Sequence, residues 1–348
     1  MANESRFSPK PSWLKVRAPG GERYTELKAT FRALDLHTVC EEARCPNVGE
    51  CWREGTATVM LLGDTCTRAC RFCAVTSGNP RGAVDGREPE HVARAIAKMG
   101  LQYVVLTMVD RDDLLDGGAS HVARTVRRLR DLRPDLLVET LVGDFGGRKG
   151  DIRELLEGEP HVFAHNVEVV ERLQRTVRDV RCSYAQSLDV LAHAKRIRPS
   201  GLTKSSLMVG VGETDAEILE CLGHLREVGV DVVTIGQYLR PTPKHLPVER
   251  FVTPEGFARF AEAGLALGFA YVASAPLARS SYKAAEVFVR SVLRPNDPEG
   301  AEKLLAERAA EARVRAAAFG GPMAEATMSE LAARATGTLV PAESLVRR

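Results

Sequence analysis

Six of the eight cysteines fall within 34 residues. Cys40, Cys45 and Cys51 are spaced C-x4-C-x5-C, and Cys66, Cys70 and Cys73 are spaced C-x3-C-x2-C. Nothing else in the chain restricts its fold as strongly, because sulfurs packed this densely are bridged, redox-active or bound to metal. Disulfides suit small secreted domains that cannot build a core. This chain has 348 residues, 44% of them hydrophobic, and opens with Met-Ala-Asn-Glu-Ser, which lacks the basic-then-apolar pattern of a secretion signal. Such a length predicts one large domain with additions, or two ordinary ones, and the apolar content excludes a mostly disordered chain. A formal net charge of +2 gives no reason to expect a nucleic-acid partner. No apolar run approaches the length of a membrane span. A soluble, cytoplasmic protein with no membrane or nucleic-acid partner is expected.

Metal ligation is the better use of the clustered sulfurs. Structural zinc takes four ligands, usually as paired C-x2-4-C knuckles, whereas each group here offers three sulfurs at unequal spacing. The bacterial ferredoxin run C-x2-C-x2-C-x3-C-P is absent as well. Three thiolates hold three irons of a cubane and leave the fourth open, so an iron–sulfur reading is favoured over zinc. An incomplete ligand set points to a site that binds substrate. Cys221 shares helical spacing with Ile218, Leu222 and Leu225 and reads as a buried apolar cysteine. Cys182 has no cysteine near it in sequence and is read the same way.

Residues 1–56 carry little regular periodicity and read as an N-terminal extension holding the first cysteine group. Alternating βα units follow over residues 57–285. Strands are expected at Ala57–Leu62, Tyr103–Met108, Leu136–Leu141, His161–His165, Thr203–Val209, Asp231–Ile235 and Ala270–Ala273, with helices between most of them. Pro89 opens one helix. Thr214 and Glu217 form a capping-box pattern that places Gly210–Glu213 at a strand-to-helix turn. Thr253 with Pro254 marks another helix start. Repeated βα units imply parallel strands with outer helices, an α/β complete or partial barrel with its chemistry at the strand C-termini. Residues 286–348 are rich in Ala, Glu and Arg; Ala301–Phe319 and Met323–Thr336 read as two helices with no visible chemistry.

Several features invite sharper readings. Gly210-Val211-Gly212 lacks the third glycine of a dinucleotide fingerprint, since position 215 is Asp. Asp144-Phe145-Gly146 mimics a kinase triplet without its partner motifs and reads as chance. Arg124, Arg127, Arg128, Arg130 and Arg133 read as the solvated face of a helix, with attraction of an acidic carrier domain as the alternative. His37 reads as peripheral to the first cysteine group. His165 and Asn166, at a strand end, are candidates for a cofactor pocket.

The C-x3-C-x-Φ-C pattern at Cys66, Cys70 and Cys73, with Phe72 as the aromatic, resembles the signature of the radical S-adenosylmethionine (SAM) superfamily. With C-x4-C-x5-C upstream, the chain resembles the lipoyl synthase family. The likeness covers most of residues 10–285. It includes Val109–Leu114, Asp116–Ala119, Glu139–Leu141, His165–Glu168, Lys204-Ser205, Gly210–Thr214, Gln237–Pro241, His245–Val248 and Arg279–Ala284. The resemblance implies a partial (β/α)6-type barrel of the radical SAM kind. It implies two [4Fe–4S] clusters, one on Cys66, Cys70 and Cys73, the other on Cys40, Cys45 and Cys51, completed by Ser280, with Ser281 the less favoured serine. The open iron of the first cluster would chelate SAM, whose cleavage yields a 5′-deoxyadenosyl radical. Phe72, Asn166, Gly210 and Glu213 would lie near SAM.

The implied reaction inserts sulfur at C6 and C8 of a protein-bound octanoyl-lysine, using two SAM molecules per lipoyl group and consuming the auxiliary cluster as sulfur donor. Implied partners are octanoylated lipoyl domains of 2-oxoacid dehydrogenase complexes and the glycine-cleavage H protein. A ferredoxin or flavodoxin reductant and cluster-assembly proteins would also be needed. Other readings are a radical SAM sulfurtransferase acting on another acyl chain, or an electron-carrying metalloprotein, which would need complete ligand sets. Val169, Gly143 and Ala275 depart from the family's usual Thr, Pro and Gly, and the tail beyond about residue 290 is longer than the family normally carries.

Overall fold

In a computed structural model of the chain, residues 10–15, 20–33, 37–42, 45, 47–48, 58–99 and 101–280 are described. The expected C-terminal helices and Ser281 lie outside the described residues. So do Cys51 and the side chains of His37 and Cys40, although the backbone of Cys40 lies in the short helix Val39–Glu42.

One eight-stranded sheet organises the described residues. Its strands are β1 (His37–Thr38), β2 (Thr58–Leu61), β3 (Tyr103–Met108), β4 (Leu137–Leu141), β5 (Val162–Ala164), β6 (Leu202–Val209), β7 (Val232–Gln237) and β8 (Tyr271–Ala275). They lie side by side in chain order. Only β1 on β2 is antiparallel; every later pairing is parallel. Between β2 and β8 the crossovers carry α1 (Glu88–Lys98), α2 (Ala119–Leu132), α3 (Lys149–Leu156), α4 (Tyr184–Ile197), α5 (Asp215–Glu227) and α6 (Pro254–Ala266). Six βα units with a seventh parallel strand make the expected partial barrel of the radical SAM type.

The strands are buried on both faces, as parallel strands flanked by helices must be. Alternation divides their side chains. Val104, Leu106 and Val138 pack outward against α1 and α2 with Val92, Ile96, Val122 and Leu129. Tyr103, Val105, Leu137, Val162 and Leu202 meet on the inner face. That face also holds a buried ion pair, Lys204 Nζ to Glu139 at 2.8 and 2.9 Å, with the Tyr103 hydroxyl donating to the same carboxylate. A charge this deep is tolerated because its partners satisfy it. Two and four residues further along their strands, Leu141, Ser206 and Met208 point into a cavity at the C-terminal ends. The ion pair thus floors that cavity.

Local signals set the helix starts. Thr214 accepts from Glu217 N, and the Glu217 side chain bonds back to Thr214 N, closing the capping box at α5. Thr253 accepts from Gly256 N ahead of Pro254 at α6. Cys221 is buried in the core with Ile218, Leu222 and Leu225, as its spacing predicts.

Candidate functional site

The loop after β2 carries Cys66, Cys70 and Cys73, and their thiols face a cavity of about 500 Å³, a volume ordinary for a small-molecule site. Cys45 from the N-terminal extension and Ser280 after β8 line the same cavity, together with Phe72 and Asn166. Members of both predicted ligand groups therefore share one chamber, although Cys45 and Ser280 lie 235 positions apart in the sequence. Gly236 lets the closing segment pass over β7: a Cβ there would meet Ala278 O at 2.1 Å. Gly210 and Glu213 are not in the lining. Glu213 instead accepts from Gly210 N (2.7 Å) and Val211 N (3.0 Å), and its carboxylate holds the turn together. Gly210, at φ +99°, lets Gln237 approach; a Cβ there would sit 2.1 Å from Gln237 Nε2, and Gln237 does line the cavity.

The cysteine loop is pinned by Arg68, whose side chain is 2% exposed. Its guanidinium donates to both carboxylate oxygens of Asp144 (2.8 and 2.7 Å) and to both of Asp112 (3.0 and 2.8 Å). Asp144 is held at about 2, its burial overcome by the bonds from Arg68. The triplet that reads as chance therefore supplies the main anchor of the loop. Asp110 projects toward the same guanidinium but stays protonated to about 6, because burial outweighs the attraction of Arg68. Gly143 makes room for it, since a Cβ there would lie 2.0 Å from Asp110 Oδ1.

Cys182 corrects the expectation of a cysteine with no partner. It is buried, but against the cavity: its Sγ accepts from Arg68 Nη1 at 3.3 Å and is hydrogen-bonded to Cys70. That bond, reinforced by Arg178 and Arg68, lowers Cys182 to about 7, and the same bond raises Cys70. Burial pushes Cys73 to about 11 and raises Cys66 and Cys45. Thiols so desolvated become thiolates when a bound cation compensates the charge, as metal ligands do. Among the described residues no three His, Cys, Asp or Glu side chains gather closely enough to hold a single ion.

The opposite wall holds a relay that sequence reasoning saw only in part. His165 Nδ1 donates to Val142 O (2.8 Å), which leaves Nε2 to accept from Ser187 Oγ (3.0 Å); that oxygen in turn accepts from Arg178 Nη1 at 2.8 Å. Burial lowers His165 to about 4, so it is neutral. Arg178 is 7% exposed, yet its Nε has no partner. A buried cation with an unpaired donor on a cavity wall is fitted to an anionic group. Glu168, also in the lining, sits at φ +67°, a left-handed conformation that costs a non-glycine residue about 1 kcal/mol. Its backbone is held there by Ser206 O and Met208 N. Only position 168 within the quoted motif signalled it; nothing in sequence signals Arg178.

Comparison with known proteins gives the chain its family. A family model described as the Radical SAM superfamily matches residues 60–225, and the N-terminal domain of lipoyl synthase of the Radical SAM family matches residues 2–45. A lipoyl synthase of Sorangium cellulosum is 63% identical over 375 aligned positions, covering 99% of this chain, tail included, and 100% of its own. One from Thermus thermophilus is 58% identical over 285 positions, covering 82% and 88%. Among solved structures, the FeFe-hydrogenase maturase HydG of Carboxydothermus hydrogenoformans shares the fold, with a TM-score of 0.51 at 13% identity over 83% of this chain and 79% of its own. On identity across nearly its whole length, the chain belongs to the lipoyl synthase family of the radical SAM superfamily.

Proposed function

We propose that this enzyme inserts two sulfur atoms, at C6 and C8, into an octanoyl chain borne on a lysine of a carrier protein, giving the lipoyl group. The observation that carries this reading is that Cys66, Cys70 and Cys73 line the same cavity as Cys45 and Ser280. In this reading the first trio holds one [4Fe–4S] cluster and leaves an iron for SAM. Cys40, Cys45, Cys51 and Ser280 hold the second. When bound, the first cluster supplies the electron that cleaves SAM to a 5′-deoxyadenosyl radical, and the second supplies the sulfur.

The chain's own residues set the conditions for that chemistry. Arg68 holds the Cys66–Cys73 loop rigid through Asp112 and Asp144, so its thiols approach one cluster without loop ordering. Arg178 offers its unpaired Nε to a carboxylate, such as that of SAM, while the neutral His165 and Ser187 fix its orientation. Asn166, donating to Glu168 at 3.1 Å, keeps a polar edge in the cavity wall. Leu141 and Met208 supply apolar lining that keeps water from a radical and receives an alkyl chain. A hydroxyl at Ser280 is a weaker match to iron than a thiolate, which suits a cluster that is taken apart.

The carriers in this reading are octanoylated lipoyl domains of 2-oxoacid dehydrogenase complexes and the glycine-cleavage H protein. A ferredoxin or flavodoxin supplies electrons, and cluster-assembly proteins rebuild the spent cluster. No described helix is long and apolar enough to cross a membrane. The test is mass spectrometry of an octanoylated carrier peptide incubated anaerobically with reconstituted protein, SAM and dithionite. Two added sulfurs are expected; an unmodified octanoyl group, with SAM cleaved, overturns the reading.

A further inference from the structure

The acyl arm of a carrier is tethered, so the body of the carrier must rest on the rim of the cavity while the arm is inside. The rim is uneven. Val180 is 90% exposed, yet it lies two residues from both Arg178 and Cys182, which line the cavity. Leu115 is 99% exposed on the loop that starts at the cavity-lining Asp110. Arg181 ties the two loops together, donating to Asp112 at 3.1 Å and to Thr67 O. Two such side chains do not make an apolar patch by themselves, but each sits on a loop that also lines the cavity.

Unpaired charge lies at the same place. Arg71, between Cys70 and Cys73, donates to Thr176 O at 3.0 Å, and its backbone N donates to Val177 O, which sets it beside the 175–181 segment. Arg71 and Arg175 are exposed, and among the described residues neither forms an ion pair. The arginine-rich face of α2 is different: Arg127, Arg128, Arg130 and Arg133 are paired with Glu157, Glu90, Glu159 and Asp135. Arg124 of that helix is exposed and meets only His121, at 3.3 Å, so four of its five arginines are compensated, whereas both Arg71 and Arg175 at the rim are not. The chain's own tail does not supply the missing negative charge, since residues 281–348 carry ten Lys and Arg against nine Asp and Glu.

We propose that Arg71, Arg175 and Val180, with Leu115 on the adjoining loop, form the docking surface for an acidic face of the carrier domain. This inference rests on the sulfur-insertion reading for the identity of the partner. Exposed charges steer association and contribute an affinity that salt weakens, and a central aliphatic contact adds apolar burial.

The test compares binding of an octanoylated lipoyl domain with binding of a short, uncharged octanoyl-lysyl peptide to the full-length, anaerobically reconstituted protein. Arg175→Glu and Val180→Asp both change exposed side chains, and intact folding is checked by iron content and melting temperature. The double variant is expected to bind the domain at least tenfold more weakly, at low salt, while binding the peptide within twofold of wild type. Reversing an acidic residue of the domain to Lys should restore part of the affinity for Arg175→Glu. Unchanged affinity for the domain, or equal losses for domain and peptide, overturns the docking surface. Wild-type protein that binds the domain in this manner yet inserts no sulfur leaves the surface standing and sinks the functional reading instead.

Discussion

Arg68 and Asp144 are joined by two hydrogen bonds, of 2.8 and 2.7 Å, across 76 positions of sequence, and both side chains are buried. The pair ties the loop of the second cysteine group to the end of β4. Breaking a buried pair by removing one partner leaves an uncompensated charge and costs about 3 kcal/mol. Asp144→Asn leaves Arg68 its Asp112 partner, so the expected loss is smaller, about 2 kcal/mol of unfolding free energy in a urea titration, seen as a lowered midpoint with an unchanged slope. Asp112→Asn should cost less, because its side chain is 26% exposed.

Acid unfolding of the metal-free protein should be flatter between pH 4 and 6.5 than His165 alone would give. His165 is lowered to about 4, so the unfolded chain binds its proton first, and stability rises with pH across that window by about 3 kcal/mol. Asp110 is raised to about 6, so the unfolded chain loses its proton first and stability falls with pH from 3.8 to about 6. The two slopes oppose each other. Asp110→Asn should unmask the His165 slope, giving a variant that becomes steadily more stable from pH 4 to 6.5 in denaturant titrations. An equally flat profile in the variant would show that His165 is not buried as the neutral form.

Alkylation should separate the two isolated cysteines. In reduced, metal-free protein Cys182, lowered to about 7 and facing the cavity, should react with iodoacetamide near neutral pH. Cys221, pushed to about 12 and 1% exposed, should remain unmodified until the protein unfolds. Peptide mass spectrometry reads both sites in one experiment.

Gly210→Ala should destabilise the fold by at least 2 kcal/mol, seen as a lowered melting temperature. It combines a left-handed backbone with a Cβ placed 2.1 Å from Gln237 Nε2 and 2.5 Å from Arg250 O. Gly223→Ala, in open space on α5, is the control and should be neutral or mildly stabilising.

The parts legible in the sequence are those governed by neighbours. Tyr103–Met108 declares itself by a mainly apolar, β-branched run, and Thr214 with Glu217 by a spacing of three. The cysteine loop is legible because metal ligation imposes local spacing. What stayed hidden depends on contacts across the barrel. Cys182 meets Cys70 from 112 positions away, and Asp144 is drawn into service by an arginine on another loop. Arg178 belongs to a run of arginines at 172, 175, 178 and 181, of which the fold buries only one. Residue type and spacing cannot single it out, because burial there is decided by the approach of His165 and Ser187.

The central claim is that Cys70 and Cys45 serve different steps in one chamber. Measuring 5′-deoxyadenosine and lipoyl product in the same anaerobic reaction tests it most directly. Cys70→Ala should form neither. Cys45→Ala should still release 5′-deoxyadenosine while inserting no sulfur. Lipoyl product from Cys45→Ala at the wild-type level would contradict the account.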